Sequence, residues 1–557
     1  MFNNTIRTFT QKISGYFLKL RNSCFVLLLI LAGCHKPAKP EIIPSQPSQP
    51  TPPSLPSGTI SSDILIYGAT SSGVIAAVEA AKSGKTVILI ANDTHIGGMT
   101  SGGLSKADVV DYGQNLGGLT REFFLKVAAK YSEGTPSYTF EPKVALQVFN
   151  EYLHSYPNIK IYYNERLNLQ NGVNKDPSNK KIFYVQMESG EIFSATEYVD
   201  ASYEGDLLAG AGVSYKIGRE ANSTYNESRN GVVPPIPFPV QISPYLIEDN
   251  PASGLLPRIN PQEATGPGSS DNLIMAYNYR VCLTNDPNNI IPITKPADLN
   301  MNDYEIMFRM IKQKYKVFLG WHWTKNSKLD VNSANYFSTD YVGMNSSYPE
   351  ASYDKRDSIK KKIENYERGL IWLMQNDPRI PPSFQKFYKT FGLPKDEFIQ
   401  NNGWPTQLYI REARRMVSDY VITDNYIINN QLVNDPIGLG TYPLDSHLMQ
   451  YRVNASGFVE GEGQMYIDVN RGYGISYRAL IPKRSECTNL VVSVCISASH
   501  SAFCSLRTEP TYMVMGQSAA AAAVLAINKN CDIQNVDYND LKKQLSDDHQ
   551  LIFTQLF

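Results

Sequence analysis

The sequence has little cysteine, no excess of either charge, and an N-terminal apolar run too short to cross a membrane. Seven cysteines occur among 557 residues, and the formal net charge is -1. The five cysteines after residue 34 form no C-x-x-C pattern and are odd in number, which indicates neither a disulfide framework nor a metal site. Without a basic excess to neutralise phosphates, the chain is not expected to bind nucleic acid.

The first 33 residues have the pattern of a secretory signal. Four basic residues precede a short apolar run, residues 24–31. The last residue of the run begins the tetrapeptide Leu31-Ala32-Gly33-Cys34. Because a spanning helix needs roughly 20 apolar residues, we expect a cleaved signal peptide here. The tetrapeptide resembles a bacterial lipobox, which implies acylation of Cys34, for example with palmitate, and a membrane anchor in the bacterial cell envelope, facing the periplasm or the surface. An ordinary secretory signal with a chance cysteine is the alternative.

Residues 34–60 are interpreted as the lipidated cysteine and a linker. The stretch 36–58 contains eight prolines and almost no large apolar side chains. Such a segment cannot bury enough surface to fold, and its prolines favour an extended polyproline II conformation. At about 3.1 Å per residue the linker would span roughly 60 to 70 Å.

The stretch "DILIYGATSSGVIAA", residues 63–77, begins a βαβ pattern. A buried strand is predicted over 63–67, a helix of small and apolar residues over 72–83, and a second strand over 86–90. The right-handed crossover of such a unit brings the helix N-terminus to the carboxyl edge of the sheet, where it can bind a pyrophosphate. The predicted fold class is therefore α/β, with a Rossmann-like domain built on a parallel sheet.

Two positions depart from the usual G-x-G-x-x-G fingerprint. Gly68 and Gly73 hold the outer places, but Thr70 replaces the middle glycine, which normally lets the backbone approach the pyrophosphate. We expect the hydroxyls of Thr70, Ser71 and Ser72 to help hold the phosphates. Ala91 stands where an acidic residue usually binds the ribose, so the neighbouring Asn92 or Asp93 is expected to take that role.

Several further segments, in order along the chain, carry a family resemblance. They are "HIGGMTSGGLS" (95–105), "YVDASYEGDLLAGAGVSYKIGRE" (198–220), "YIREARRM" (409–416), "YPLDSH" (442–447), "ISYRALIPK" (475–483) and "CISASHSAFCSLRTEPTYMVMGQSAAAAAVLA" (495–526). Together they resemble the FAD-dependent oxidoreductases with a glutathione reductase-like flavoprotein fold, in the branch common among exported bacterial proteins. The resemblance covers about residues 62–528 and implies FAD as the cofactor.

The resemblance implies cofactor contacts in three later segments. The glycine-rich loop would run along the flavin through Gly97, Gly98, Met99, Thr100, Gly102 and Gly103. In the segment after residue 198, the contacting carboxylate stays open among Asp200, Glu204 and Asp206; Asp206 is taken as the candidate, although a plain helix N-cap explains it equally well. Near the C-terminus, Gly516, Gln517 and Ser518 are expected to open an alanine-rich helix whose N-terminus faces the flavin. A buried helix without a ligand is the alternative.

Catalytic candidates are polar groups that the resemblance places near the flavin. His500 is predicted to take a hydroxyl proton as the hydride leaves carbon, and Arg507 to hold a substrate oxygen or carboxylate. A second group of candidates consists of Asp445, His447, Tyr477 and Arg478.

The chain is predicted to have an FAD-binding domain in two parts, residues 61–230 and 461–557, with an inserted α+β substrate domain at 231–460. The insert is rich in aromatic residues, for example "GWHWTKN" at 320–326, which suit stacking on sugars or an ordinary core.

Three functional classes follow from these features. The leading one is a flavin-dependent oxidoreductase that accepts a hydride from a small-molecule or carbohydrate substrate outside the cytoplasm. The alternatives are a polysaccharide lyase and a surface lipoprotein that binds glycans without turnover. The departures at Thr70 and Ala91 give some weight to the last of these.

Overall fold

The computed structural model describes residues 54–552, apart from 111–112, 262–264, 318, 335, 430 and 470–471. The predicted signal peptide, Cys34 and most of the linker lie outside these residues. The chain divides into two units, Met1–Ser54 and Leu55–Phe557. All the described helices and strands belong to the second unit.

The described residues form strands and helices throughout the second unit. The strands are β1 (Ile60–Tyr67), β2 (Val87–Ile90), β3 (Ile159–Tyr162), β4 (Val173–Lys175), β5 (Ile182–Gln186), β6 (Ile192–Asp200), β7 (Tyr215–Lys216), β8 (Ile236–Pro237), β9 (Ile259–Asn260), β10 (Asn278–Tyr279), β11 (Val281–Thr284), β12 (Ile290–Ile291), β13 (Gly320–Trp323), β14 (Lys328–Asn332), β15 (Leu393–Pro394), β16 (Leu408–Tyr409), β17 (Arg415–Met416), β18 (Pro436–Gly440), β19 (Leu444–Ser446), β20 (Gln450–Val453), β21 (Val459–Glu462), β22 (Met465–Ile467), β23 (Tyr473–Ser476) and β24 (Leu490–Val492). The α-helices are α1 (Ser71–Lys82), α2 (Gly98–Gly102), α3 (Gly118–Lys130), α4 (Pro142–His154), α5 (Asp206–Gly210), α6 (Asn222–Tyr225), α7 (Glu305–Lys312), α8 (Tyr353–Asn376), α9 (Pro382–Tyr388), α10 (Asp424–Ile428), α11 (His500–Leu506), α12 (Glu509–Lys529) and α13 (Tyr538–Asp547).

A seven-stranded sheet forms the centre of the fold, with the order β3-β2-β1-β6-β5-β4 and β24 paired to the end of β6. Strands β3, β2, β1, β6 and β24 run parallel, whereas β4 and β5 are antiparallel additions. The last four residues of β1 and all of β2 are buried, as expected for parallel strands covered on both faces. The predicted parallel sheet with its βαβ unit is confirmed.

Helices α1 and α12 pack closely against each other beside this sheet. A Cβ atom at Gly516 would lie only 2.3 Å from the carbonyl oxygen of Ser72, so glycine is required where the two backbones meet. Helix α12 begins at Glu509, and the prediction that a helix opens at Gly516 is therefore wrong. Its 21 residues are long and apolar enough to span a membrane, but 89% of the apolar stretch is buried inside the protein, as in a core helix.

Small sheets and helices fill the chain between β6 and β24. They include the sheet β11-β14-β13, the sheet β8-β21-β20-β9 and the 24-residue helix α8. This mixture of short strands and helices has the α+β character predicted for the insert. The domain boundaries at residues 230 and 460 stay predictions, because residues 55–552 form one compact unit.

Candidate functional site

A cleft opens at the carboxyl ends of β1 and β2, the edge of a parallel sheet where such folds bind their ligands. Its lining residues come from the β1–α1 turn, the end of β2, the start of α2, the loop after β6, and two later positions. They are Gly68, Ala69, Thr70, Asn92, Asp93, His95, Gly98, Ser202, Tyr203, Glu204, Lys360 and Gln407. We call this the cofactor cleft.

The β1–α1 turn is held tightly by its outer glycine and by Thr70. Gly68 has φ = +101°, and a Cβ atom there would lie 2.7 Å from the amide nitrogen of Ser202. The Thr70 hydroxyl donates to the carbonyl of Ala201 at 2.8 Å and accepts from the amide of Gly73 at 3.2 Å, which caps α1. The amides of Ser71 and Ser72, which precede Gly73 in the first turn of α1, have no carbonyl partner within the helix and suit an anionic ligand.

The hydroxyls expected to hold phosphate are already used within the protein. Ser71 Oγ donates to Glu509 at 2.6 Å, and Ser72 Oγ donates to Ser493 at 2.8 Å. Both serines are buried. The expectation that side chains replace the missing glycine is therefore not met, and backbone amides are left for the phosphates.

Asn92 supplies an acceptor at the end of β2, where an acidic residue is usual. Its Oδ1 atom is buried and has no hydrogen-bond partner among the described residues, and the residue lines the cofactor cleft. Asp93 is exposed and accepts a hydrogen bond from the amide of His95 at 2.7 Å. Of the two alternatives, Asn92 is therefore the better placed to meet the ribose hydroxyls.

The glycine-rich loop forms α2, and only its start lines the cleft. Gly98 lines it, while a Cβ atom at Gly97 would lie 2.3 Å from the ring of Phe149. The amide of Met99 donates to Tyr203 Oη at 2.8 Å, and Thr100 Oγ1 donates to Glu509 at 2.7 Å. At the other end of the loop, Cβ atoms at Gly102 and Gly103 would meet Gln407 at 2.5 Å and Met99 at 2.8 Å.

Asp206 lies in an ion-pair cluster away from the lining of the cleft. Its carboxylate accepts from Arg356 at 2.6 and 2.8 Å and from Arg414 at 2.8 Å. The residue that caps α5 is Gly205, and no side chain takes part in that cap. Asp206 therefore neither lines the cofactor cleft nor caps α5, and both predictions for this residue are wrong.

Gly516, Gln517 and Ser518 lie in the middle of α12 rather than at its N-terminus. The Gln517 side chain donates to Glu79 and accepts from the amide of Leu119, both within 3.1 Å. Ser518 Oγ donates to the carbonyl of Ile437 at 2.9 Å. These residues join α12 to neighbouring elements, and they do not line the cofactor cleft.

Several cleft residues were not among the predicted contacts. Ser202, Tyr203 and Glu204 lie in a segment that the family resemblance marks as a cofactor segment, and their position directly after β6 is a usable signal. Lys360, on α8, follows no motif. Its contribution depends on how the long insert folds back onto the sheet.

A second candidate site includes Tyr409, which follows the cleft residue Gln407 by two positions. We call Asp340, Tyr409, Asp445, His447 and Arg507 the His447 cluster. His447 Nδ1 lies 2.8 Å from Asp340 Oδ2, and His447 Nε2 lies 3.8 Å from Asp445 Oδ2. Arg507 Nη1 donates to Tyr409 Oη at 3.0 Å, and Arg507 Nη2 lies 3.3 Å from Asp445 Oδ2. The structure thus brings together one primary and two secondary catalytic candidates.

The His447 cluster is partly open and strongly charged. Side chains of His447 and Asp445 are 13% and 22% exposed, whereas Arg507 is buried and its Nε has no partner among the described residues. Burial alone would raise the pKa of Asp445, but His447 and Arg507 outweigh it and hold that pKa well below its usual range. Burial raises the pKa of Tyr409 to about 12, so its phenol stays protonated.

His500 lies in a different and closed group, which we call the His500 cluster: Glu220, Glu412, Arg415 and His500. His500 Nδ1 lies 2.9 Å from Glu412 Oε1, and its amide donates to Glu220 at 3.1 Å. Burial alone would lower the pKa of His500, but Glu412 and the neighbouring Cys504 raise it to about 10. A buried imidazolium cannot accept another proton, so the structure does not support His500 as the base.

The remaining secondary candidates lie outside the His447 cluster. Tyr477 is buried and donates to the carbonyl of Ile533 at 2.6 Å. Arg478 makes a two-pronged contact with Asp435 at 3.0 Å on each side. Both contacts are structural.

Comparison with known proteins gives one match over most of the chain. The family model described as "FAD dependent oxidoreductase" matches residues 63–545. No curated protein matches the chain. Solved structures with local similarity include an L-amino acid deaminase from Proteus vulgaris (15% identity, TM-score 0.22, covering 30% of this chain and 53% of that one). Another is OxyS anhydrotetracycline hydroxylase from Streptomyces rimosus (11% identity, TM-score 0.21, covering 29% of this chain and 36% of that one). The chain thus spans about a third to a half of the length of these structures.

The residues of the cofactor cleft fit FAD. An unpartnered acceptor at Asn92 suits ribose hydroxyls, and the first turn of α1 offers amides to a pyrophosphate. The close backbone contact at Gly68 forms the tight turn that the dinucleotide fold requires. FAD is the cofactor of the matched family.

Proposed function

Because the chain belongs to the FAD-dependent oxidoreductase family, and is an enzyme of that class, we propose that it oxidises a carbon–hydrogen bond at the His447 cluster. The substrate would be a small molecule or a carbohydrate with a hydroxyl or amino group on the carbon that is oxidised. When bound, FAD supplies the acceptor for the hydride. The residues of the chain bind the substrate and take its proton.

The observation that carries this proposal is the placement of His447. His447 Nδ1 lies within hydrogen-bond distance of Asp340. In the neutral imidazole that donates Nδ1–H to Asp340, Nε2 would carry the lone pair and accept a proton. Nε2 lies 3.8 Å from Asp445 Oδ2, and the two side chains are 13% and 22% exposed. As the hydride leaves carbon, the proton of a substrate hydroxyl would pass to Nε2 and a carbonyl would form.

Arg507 and Tyr409 would hold the substrate oxygen. The guanidinium of Arg507 is fixed by Tyr409 and by the backbone carbonyl of Asp445, at 3.0 and 2.7 Å. Its unpartnered Nε–H is a donor for an oxygen atom of the substrate. Gln407 lines the cofactor cleft and Tyr409 follows two residues later, so about 7 Å of extended backbone connects a residue of the cleft to a residue of the His447 cluster.

The same proposal places the enzyme in the bacterial cell envelope. The sequence Leu31-Ala32-Gly33-Cys34 supports a lipid anchor, and the proline-rich stretch 36–58 supports a tether between that anchor and the folded unit. An extracytoplasmic position makes small metabolites and glycans the substrates within reach. Labelling of the cells with a fatty-acid probe, and its loss in Cys34→Ala, would test the anchor.

The activity is tested with the purified chain in detergent, loaded with FAD. A panel of sugars, hydroxy acids, amino acids and simple alcohols is added under anaerobic conditions, and the visible absorption of the flavin is followed. Bleaching by one class of substrate supports the proposal and names that class. If no class bleaches the flavin, oxidation at the His447 cluster is refuted.

The alternative functions have their own outcomes in the same assay. A polysaccharide lyase would create unsaturated sugar products from a glycan without bleaching the flavin. A glycan-binding protein would retain a glycan on a column and release it unchanged. The family match favours oxidation, because neither alternative needs a flavin.

A further inference from the structure

Three segments that border the cofactor cleft donate hydrogen bonds to the same carboxylate, which does not itself line the cleft. Glu509, the first residue of α12, accepts hydrogen bonds from Ser71 Oγ at 2.6 Å, Thr100 Oγ1 at 2.7 Å and Tyr203 Oη at 2.7 Å. Ser71 begins α1, Thr100 lies in α2, and Tyr203 lies in the loop after β6. These segments are separate in sequence, and Glu509 is absent from the cleft lining.

The contacts of Glu509 require an acceptor with two oxygen atoms. Three hydroxyl donors converge on a side chain that is 3% exposed. An ionised carboxylate satisfies all three because it has only acceptor sites, whereas an amide at this position offers one oxygen and adds two donors. Glu509 also stands in the first turn of α12, where the helix dipole favours a negative charge.

The Tyr203 hydroxyl connects the carboxylate of Glu509 to the backbone of α2 by hydrogen bonds. Its hydroxyl donates to Glu509 and accepts from the amide of Met99 at 2.8 Å. A Cβ atom at Gly98 would lie 2.3 Å from the same hydroxyl. The position of the Tyr203 ring, which lines the cleft, therefore depends on both the carboxylate and the glycine.

We propose that Glu509 is a positioning residue for FAD, which fixes the start of α1, helix α2 and the loop after β6 in the arrangement that binds the cofactor. This inference rests on FAD binding in the cofactor cleft. It does not depend on the identity of the substrate or on the role of His447. Loss of the carboxylate should weaken FAD binding even though Glu509 makes no contact with the cleft.

The test compares Glu509→Gln with Glu79→Gln in the full chain. Glu79 is a suitable control because it is a buried carboxylate on α1 that bonds to Gln517 of α12 and does not line the cleft. FAD affinity is measured by quenching of flavin fluorescence, and thermal stability is measured on the FAD-free protein. We expect E509Q to weaken FAD binding about tenfold to a hundredfold, with E79Q unchanged in affinity.

A second pair of variants removes a single hydrogen bond. Tyr203→Phe loses the donor to Glu509, and Tyr366→Phe loses a comparable buried hydroxyl that bonds to the carbonyl of Ser338. Y203F should weaken FAD binding a few-fold, and adding E509Q should weaken it by less than the product of the two single effects. If E509Q does not fold, the comparison of Y203F with Y366F decides the question.

Two results would overturn the inference. One is an unchanged FAD affinity in E509Q, and the other is an equal loss of affinity in E509Q and E79Q or in Y203F and Y366F. A wild-type protein that binds FAD but oxidises no substrate would refute the proposed function alone, since the affinity measurements need no substrate.

Discussion

Two histidines of this chain have carboxylate partners, yet their surroundings differ in one decisive respect. His447 has one ring nitrogen bound to Asp340 and the other 3.8 Å from Asp445, in a cluster that is partly exposed. His500 has one ring nitrogen bound to Glu412 and the other near the thiol of Cys504, with only 2% of its side chain exposed. The first arrangement leaves a nitrogen available to a substrate, and the second leaves none.

The comparison teaches that a charged, buried histidine in a recognised family segment is not thereby a catalytic group. Each cluster contains an arginine and at least two carboxylates, so composition does not separate them. What separates them is an unpartnered polar atom in a cluster that also has partly exposed side chains. Arg507 Nε provides this atom in the His447 cluster, whereas in the His500 cluster Arg415 donates to Glu412, Glu220 and two backbone carbonyls.

The largest effect is expected for His447→Gln. Loss of the general base should lower the rate of flavin reduction by the substrate about 10²- to 10⁴-fold. The affinity for FAD should change little, because His447 lies outside the cofactor cleft, and Asp340 keeps its ion pair with Arg411 in the variant. Stopped-flow measurement of flavin reduction checks this prediction.

His154→Gln is the control for that variant, since His154 is exposed at the end of α4. It should reduce the flavin at the wild-type rate. An unchanged rate in His447→Gln would remove the functional distinction between the two histidines.

The second largest effect is a loss of folding stability in His500→Gln. Replacing the buried imidazolium leaves Glu412 without one of its charged partners, and breaking a buried pair of this kind costs about 3 to 5 kcal/mol. The free energy of unfolding should fall by that amount, as measured in urea, while the rate of flavin reduction per bound FAD is kept. A large loss of rate with full stability would contradict the assignment of His500 to a structural cluster.

A smaller effect is the pH dependence of stability that His500 contributes. Its pKa is raised from 6.5 to about 10 in the folded protein, where burial is outweighed by Glu412 and Cys504. A raised pKa means that the folded state holds the proton more tightly, so the contribution to stability is complete below pH 6.5. It is lost as the pH rises from 6.5 towards 10.

The measurement is the melting temperature of wild type and His500→Gln between pH 6 and about 10. The two curves should lie furthest apart at low pH and converge towards high pH. A constant separation would show that the charge of His500 is not the source of the effect.

Sequence patterns were sufficient for the central fold, because they follow from local rules. The alternation of apolar strand, glycine turn and small-residue helix predicted β1, α1 and β2 within a few residues of their bounds. Buried parallel strands and the helix that packs against them are indicated by the pattern of residues that are adjacent in sequence. The family segments then supplied the cofactor.

The site was less predictable, because side-chain partners come from distant parts of the chain. The hydroxyls of Ser71 and Ser72 were expected at the phosphates, but Glu509 and Ser493, more than four hundred residues away, accept from them. Asp206 was assigned to the cofactor, but two arginines of the insert bind it. No spacing rule within a single segment reveals such partners, whereas burial and hydrogen bonding in the folded chain do.

The smallest effect is predicted for Asn92, which applies the lesson of the two histidines to the cofactor cleft. Asn92 Oδ1 is a buried acceptor without a partner among the described residues. Asn92 is next to Ala91, which occupies the place where an acidic residue is usual. Asn92→Ala removes one hydrogen bond to the ribose, worth about 0.5 to 1.5 kcal/mol, so FAD binding should weaken about 2- to 10-fold. Asp93→Ala serves as the control, because its exposed carboxylate already accepts from the amide of His95. Equal losses in the two variants would mean that an unpartnered buried atom does not identify the ribose contact. A loss confined to Asn92→Ala would extend to the cofactor the same criterion that separates His447 from His500.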